Sequence, residues 1–449
     1  MTTETTSAFL NRTSREYGIY VLENRAIPKL CDGLKSAQRK ALFLMMGRAD
    51  KIKTVSLAGT LISSNLYLHG DASASETISL LAAPFCNNVT FLKGEGNFGN
   101  RIGPKDIGAP RYTYVRRNDA LNEIMAVDKD ITPMMENYDG SAVEPVHFLP
   151  LIPTVLLNGV SGIAVGWSTE ILPRTLKDLV EATLDAIDGK KLKNLPPSFE
   201  RYDLSIKNIE GNQWEFSGKV KVVGDSVIVT ELPPYTTLER FKERLNQMED
   251  EDKIRTYTDN SAEDGINIEV VFKRGTIKNW TQNQAIDFLK LREKNTERMV
   301  VIGWDNKTVK QYQSTAQIIH EFVDWRLTWY TKRYKKLEKD DTYELQYWLA
   351  VNECFKNNFF AKLQGKKNRT EVEQEATKCI GKIKLDKAQI DRLVSVPTYS
   401  WTDETWQKCK TKIKDLQTNI TTWQGYLASP KKLKSIYRDE VAALLNLKL

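Results

Sequence analysis

Near the C-terminus of this chain, apolar side chains fall at Ile413, Leu416, Ile420, Trp423 and Leu427, at intervals of 3, 4, 3 and 4. That is the a/d seam of a coiled coil, and a helix carrying it must bury the seam against a second helix. Ile318, Phe322, Trp325 and Trp329 form a similar stripe at intervals of 4, 3 and 4 farther upstream. The economical expectation is a long antiparallel coiled coil formed by the two segments, with a helical head at about residues 345–400 inserted between them. A plain helical-bundle core would carry the same aromatic stripe. Either way, residues 306–449 are expected to be helical.

The rest of the chain follows other rules. Up to about residue 145, short helical patterns alternate with glycine-rich turns. Lys35–Met46 has helical periodicity with Gly47 as its stop, and Ser73–Ala83 is a second helix ended by Pro84. Residues 91–111 hold five glycines and two prolines, a long constrained loop, and Arg111–Arg117 then reads as a strand. Residues 146–305 alternate strands and helices. Val220–Leu232 reads as two strands around Gly224-Asp225, Leu238–Met248 as an amphipathic helix and Gly265–Lys273 as a strand. The expected fold class is therefore α+β and multidomain, with regions 1–145, 146–305 and 306–449.

Composition narrows the setting. A length of 449 residues suits about two to four domains, and 41% hydrophobic with 27% charged residues excludes a largely disordered chain. No apolar run approaches the roughly 20 residues needed to span a bilayer. Met1–Ser7 is polar, unlike a signal peptide. The five cysteines include no C-x-x-C pair, so neither a disulfide framework nor a structural zinc site is expected, and a reducing cytoplasm fits best. With only three histidines and no H-E-x-x-H, no metal ligands are assigned. The net charge of +7 permits a polyanionic partner, and residues 330–449 hold 24 basic against 15 acidic side chains.

Three motifs fail on context. Gly94–Gly99 matches G-x-G-x-x-G but opens no helix, so it does not suit a dinucleotide. Asp128-Lys-Asp130 and Asp250-Glu-Asp252 lack a third carboxylate and read as solvated acidic faces. No Walker A sequence is present, so ATP hydrolysis by this chain alone is not expected.

One constellation points to nucleic-acid chemistry. Lys35, Arg39 and Lys40 share one helix, His69-Gly-Asp71 opens a second helix carrying Ser73, and Arg111-Tyr112 follows the glycine-rich loop. Two helices and a strand-borne tip suit a winged-helix DNA reader, with cations on phosphates. A tyrosine can attack a phosphodiester, but with an ordinary pKa of about 10 it needs nearby positive charge. Arg111 is the obvious neighbour.

The motifs around these residues carry a resemblance. Asp32-Gly-Leu-Lys-Ser-Ala-Gln-Arg39-Lys40, Tyr67-Leu-His69-Gly-Asp71, Gly94-Glu-Gly-Asn-Phe-Gly99, Ala109-Pro-Arg111-Tyr112-Thr and Asn158-Gly-Val-Ser-Gly-Ile163-Ala-Val-Gly166 occur in this order. Together they resemble the signature of type II DNA topoisomerase cleavage subunits, the gyrase A and topoisomerase IV A-subunit family. Ser429-Pro-Lys-Lys-Leu433 is similar to the return arm of that family's coiled coil. The layout lies nearest the T-even phage branch, whose DNA-cleaving chain is short.

The resemblance implies a winged-helix (CAP-like) domain, an α/β tower and a coiled coil with a helical dimer gate. It implies that Tyr112 is the nucleophile that forms a 5′-phosphotyrosyl link and that Arg111 stabilises the transition state. His69 and Ser73 would lie near the DNA, Lys35, Arg39 and Lys40 would hold its backbone, and Ile163 would wedge between bases. An apolar residue between glycines also suits ordinary core. Mg²⁺ and ATP would be bound by a partner subunit carrying the ATPase and Toprim domains, for which this sequence has no counterpart. The other implied partners are double-stranded DNA and a second copy through the C-gate, in a host-cell cytoplasm if the source is a phage. Ala37-Gln38 departs from the family's frequent Val-His, and no β-pinwheel has room. A non-catalytic DNA-bridging dimer is the competing reading. A tyrosine recombinase is disfavoured because no histidine here has arginine three residues later.

Overall fold

A computed structural model of the chain describes residues 5–137, 139–262, 265–366 and 368–447. The chain divides into two compact units, Met1–Arg326 with Arg438–Leu449, and Leu327–Tyr437. Among the described residues no helix is long and apolar enough to cross a membrane.

The first unit opens with helix α1 (Thr6–Val21), which buries none of its residues. Helix α2 (Ser36–Met46) follows the Asp32 loop, turns Ala41, Leu42, Met45 and Met46 inward, and ends at Gly47. Strand β1 (Ile52–Lys53) leads into α3 (Thr54–Ser63), and α4 (Asp71–Ala82) starts after Gly70. Helix α3 has no strong sequence signature, because Thr, Val, Ser and Gly are indifferent helix formers. It forms because Leu57, Ala58 and Leu61 are buried on one side. Strands β2 (Leu92–Glu95) and β3 (Tyr114–Arg117) complete an antiparallel sheet of order β1-β3-β2.

The strand expected over Arg111–Arg117 is thus shorter, starting at Tyr114. Pro110 has no N–H to give a ladder, and the Tyr112 amide closes a turn onto the Ala109 carbonyl at 2.8 Å. Arg111 and Tyr112 consequently stand on that turn.

Two hairpins follow, β4 (Met134–Glu136) with β5 (Val143–Pro145), and β6 (Val160–Ala164) with β7 (Trp167–Ile171). After helix α5 (Leu176–Ile187), strands β8 (Ser205–Glu210) and β9 (Gln213–Ser217) form a second antiparallel sheet. The two strands expected around Gly224 are β10 (Lys219–Val223) and β11 (Ser226–Glu231). They join β12 (Thr256–Asp259) and β13 (Ile268–Val271) in the order β10-β11-β13-β12. Helices α6 (Leu238–Asp250) and α7 (Gln282–Phe288) contribute Phe241, Leu245 and Ile286 to the core beneath this sheet. Strand β14 (Arg292–Thr296) adds to β9, and β15 (Met299–Ile302) pairs with β16 (Val309–Tyr312).

Helix α8 (Thr315–Lys356) is 42 residues long. Its first turns belong to the first unit. There Trp325 stacks on Trp304 at 5.0 Å and meets His147 edge-on at 5.5 Å. Ile318 and Phe322 therefore lie in the first unit's core with Trp325 packed beside them, and the three do not form the upstream half of the heptad seam. Arg326, fully buried, binds the Asp128 carboxylate and the Pro150 carbonyl, fixing this end of the helix.

The second unit holds an antiparallel helix pair, which begins farther along α8 than the stripe suggests. Tyr334 packs on Trp423 and Tyr426 of helix α12 (Asp403–Leu427), at 5.4 and 5.1 Å. The Trp423 indole donates to Asp341 and that of Trp406 to Asn352, each at 2.8 Å, so the partners run in opposite directions. The head contains α9 (Phe359–Lys362), α10 (Arg369–Ile380) and α11 (Lys387–Val394) around Cys354, Phe359, Cys379 and Leu393. Helix α13 (Pro430–Ala443) follows Ser429, and its Tyr437 packs on Tyr330 at 4.9 Å.

Candidate nucleic-acid interface

Tyr112 is 69% exposed, on a turn held firmly from behind. The Thr113 carbonyl accepts from the Thr54 amide at 3.0 Å, and the Pro110 carbonyl from the Val55 amide at 3.1 Å. The Thr54 and Thr113 hydroxyls share a buried hydrogen bond of 2.8 Å. The loop therefore rides on the first turn of α3. The Arg111 guanidinium lies 4.6 Å from the centre of the Tyr112 ring. An exposed phenol is thus paired with a positive charge on a rigid support.

The glycine-rich loop supports the same turn. A Cβ at Gly94 would strike the Phe98 ring, and one at Gly108 would press on Thr113 and the Asn97 carbonyl. Gly96 has a φ of +107°, which side chains rarely adopt. The run is therefore a scaffold for the tyrosine, and no helix follows it to cradle a dinucleotide.

A second group of expected residues surrounds one cavity of about 700 Å³, lined by Lys35, Lys40, His69 and Ser73, with Tyr20 and Arg25 beside them. Arg111 and Tyr112 do not line it. Ser73 meets the Tyr67 hydroxyl at 3.0 Å. Lys40 pairs with Glu144 at 2.8 Å. His69 contacts the Tyr20 hydroxyl through Nε2 at 3.0 Å, and the Arg25 guanidinium lies 3.2 Å from Nδ1. Burial, then the charges of Arg25 and Lys40, hold the His69 pKa below its ordinary value. The ring is thus neutral near pH 7, with one nitrogen donating and one accepting.

Arg39 stands differently. It is only 4% exposed, and its guanidinium grips Asp32 through Nε at 2.6 Å and Nη2 at 2.8 Å. Nη2 also donates to the Leu34 carbonyl at 2.8 Å. This corrects the expected phosphate contact: Arg39 is turned into the protein and holds the loop that presents Lys35. Burial would raise the Asp32 pKa, but the Arg39 charge and hydrogen bonds, with the Phe148 amide, hold it below the usual carboxylate range.

Lys35 reaches across to the Ser161 carbonyl at 2.7 Å and ties α2 to hairpin β6–β7. Burial lowers the Lys35 pKa. On that hairpin Ile163 is 84% exposed, which excludes the core reading. Gly162 explains the close seat beneath it, because a Cβ there would run into the Ala26 carbonyl.

The family model for the A chain of DNA gyrase and topoisomerase IV matches residues 25–442. The chain belongs to that family. Its relatives include the DNA topoisomerase medium subunit of Enterobacteria phage T4, 28% identical over 429 residues, covering 93% of this chain and 94% of that one. DNA topoisomerase 2 of Bombyx mori is 31% identical over 325 residues, which are 70% of this chain and 21% of that enzyme. The chain thus spans about a fifth of the eukaryotic enzyme's length. The crystal structure of the Plasmodium falciparum topoisomerase II DNA-binding, cleavage and re-ligation domain is similar in fold. Its TM-score is 0.85 at 24% identity, covering 98% of this chain and 64% of that one.

Three side chains around this cavity carry no motif signal of their own. Tyr20 and Arg25 hold His69 from 49 and 44 residues away, and Glu144 reaches Lys40 from a separate hairpin. Among the described residues no group of three or more His, Cys, Asp or Glu could hold a metal ion. Among the described residues the side chains thus offer Mg²⁺ no such cluster.

Proposed function

We propose that this chain is the DNA-cleaving and rejoining subunit of a type II DNA topoisomerase. The observation that carries the reading is Tyr112, a solvent-facing tyrosine beneath an arginine on a buttressed loop, in a chain matched to the family along most of its length. In the proposed step the phenol oxygen attacks a DNA phosphorus in line. A phosphorus–oxygen bond forms, and the bond to the 3′-oxygen breaks. The phenol proton passes to solvent, the 3′-oxygen takes up a proton, and the 5′-phosphate remains on Tyr112. Reversal reseals the strand. Arg111 offsets the charge that develops on the phosphoryl oxygens.

In this reading α2, α3, α4 and the β1-β3-β2 sheet form the winged-helix part, within residues 1–145. Residues 146–305 form the tower, and 306–449 the coiled coil and C-gate. Lys40, His69 and Ser73 face the DNA backbone from their cavity, Lys35 braces the hairpin, and Arg39 positions the loop before α2. Ile163 enters a base step, as apolar wedges do. Two copies joined through the C-gate supply one tyrosine per strand, so that a second duplex passes through the break. A partner subunit holds Mg²⁺ and ATP.

Tyr112→Phe tests the reading. It should bind duplex DNA like the unaltered chain and form no denaturation-resistant adduct when the partner and Mg²⁺ are present. Adduct persisting in this variant would remove the assignment.

A further inference from the structure

Hairpin β6–β7 exposes three large apolar residues, Ile163 and Val165 almost fully and Trp167 in part, and the site above uses one. Along β6 and into its turn exposure alternates: positions 160, 162 and 164 are partly shielded, whereas 161, 163 and 165 are open. The shielded positions anchor the hairpin. Gly162 seats against the Ala26 carbonyl, and Ala164 packs on the cluster of Ala26, Ile27, Val300 and Ile302. The open ones have no such partner: Ile163 is 84% and Val165 78% exposed. Two branched apolar side chains left in water on a braced hairpin call for an external surface.

The spacing identifies that surface. Ile163 and Val165 flank Ala164, the last residue of β6, and two residues of extended chain span about 7 Å, at about 3.3 Å per residue. Stacked base pairs rise about 3.4 Å each. The two side chains are therefore spaced for two base steps. Val165 occupies the first turn position, and Gly166, with φ of +78°, closes the hairpin after it. Helix α1 flanks the apex, since a Cβ at Gly18 would lie 3.9 Å from that of Val165.

We infer that Val165 is a second base-step contact, two steps from Ile163, and that the hairpin tip engages DNA with two prongs. This rests on the reading of Ile163 as a wedge. Neither prong can hydrogen-bond a base edge. The pair therefore discriminates by how readily each step unstacks, favouring flexible pyrimidine–purine steps.

The test uses the full chain, its partner and a cleavage-site duplex carrying 2-aminopurine at each central step in turn. In the unaltered protein, fluorescence should rise at two steps separated by two base pairs. Ile163→Ala should lose the rise at one step and Val165→Ala at the other, with unfolding midpoints unchanged. If Val165→Ala keeps both rises while Ile163→Ala loses one, the second prong is wrong and the wedge stands. If neither variant alters the signal, the wedge reading itself fails. Release of the partner by Val165→Ala with both rises intact would make the apex a protein contact and overturn the inference.

Discussion

At the scale of single residues, charge alone is a poor guide to role. Arg39 and Lys40 are adjacent in sequence, yet Arg39 closes on buried Asp32 whereas Lys40 lines the cavity beside His69. A linear pattern marks both as cations, and only the path of the chain decides which one faces inward. Asp32→Asn would leave Arg39 as an uncompensated buried charge, and should cost about 3–5 kcal/mol in urea unfolding. A loss within the error of that measurement would count against the clamp. His147 supplies a pH test. Its ring meets the Phe148 carbonyl at 2.9 Å, and burial pushes its pKa down from 6.5 to about 4. The folded state therefore disfavours the charged ring. The associated stability is fully present above pH 6.5 and lost as pH falls toward 4, by at most about 3 kcal/mol. His147→Gln should flatten stability against pH in that window, and an unchanged slope in the variant would assign the loss to other groups.

At the scale of elements, most of what positions the site was legible in capping and breaking residues. Helix α2 ends at Gly47 and α4 ends before Pro84, as those residues dictate. Other features depend on packing, which local pattern does not carry. Helix α3 is held by its buried side rather than by propensity, and β3 starts at Tyr114 because the preceding turn is stapled to α3. The stripe at Ile318, Phe322 and Trp325 has helical spacing, but spacing is silent about which partner fills it. Hairpin β6–β7 depends most narrowly on one glycine. Gly162→Ala would drive a methyl group into the Ala26 carbonyl and should cost about 1–3 kcal/mol. The same shift should reduce DNA bending measured by energy transfer between end labels. Full bending by a fully folded variant would mean that the close seat does not aim the proposed wedge.

At the scale of the whole molecule, the proposed reaction needs two tyrosines and hence two chains. Within the second unit Tyr399 is 81% and Phe360 45% exposed, large aromatic surfaces on a head with a well-filled interior. Replacing both with Asp should shift sedimentation toward the monomer and leave thermal unfolding of the head intact. A dimer persisting at the same concentration would place the interface elsewhere. The basic surplus of residues 330–449 is sequence-legible but chemically unspecific, whereas the few cations near the site act through position. The proposed cleavage turns on one oxygen atom. The most direct measurement is to denature the cleavage complex during turnover, digest it, and locate the nucleotide-bearing peptide by mass spectrometry. The account predicts a 5′-phosphate on Tyr112 of each chain. A nucleotide on any other residue, or none in a complex that cleaves DNA, would contradict it.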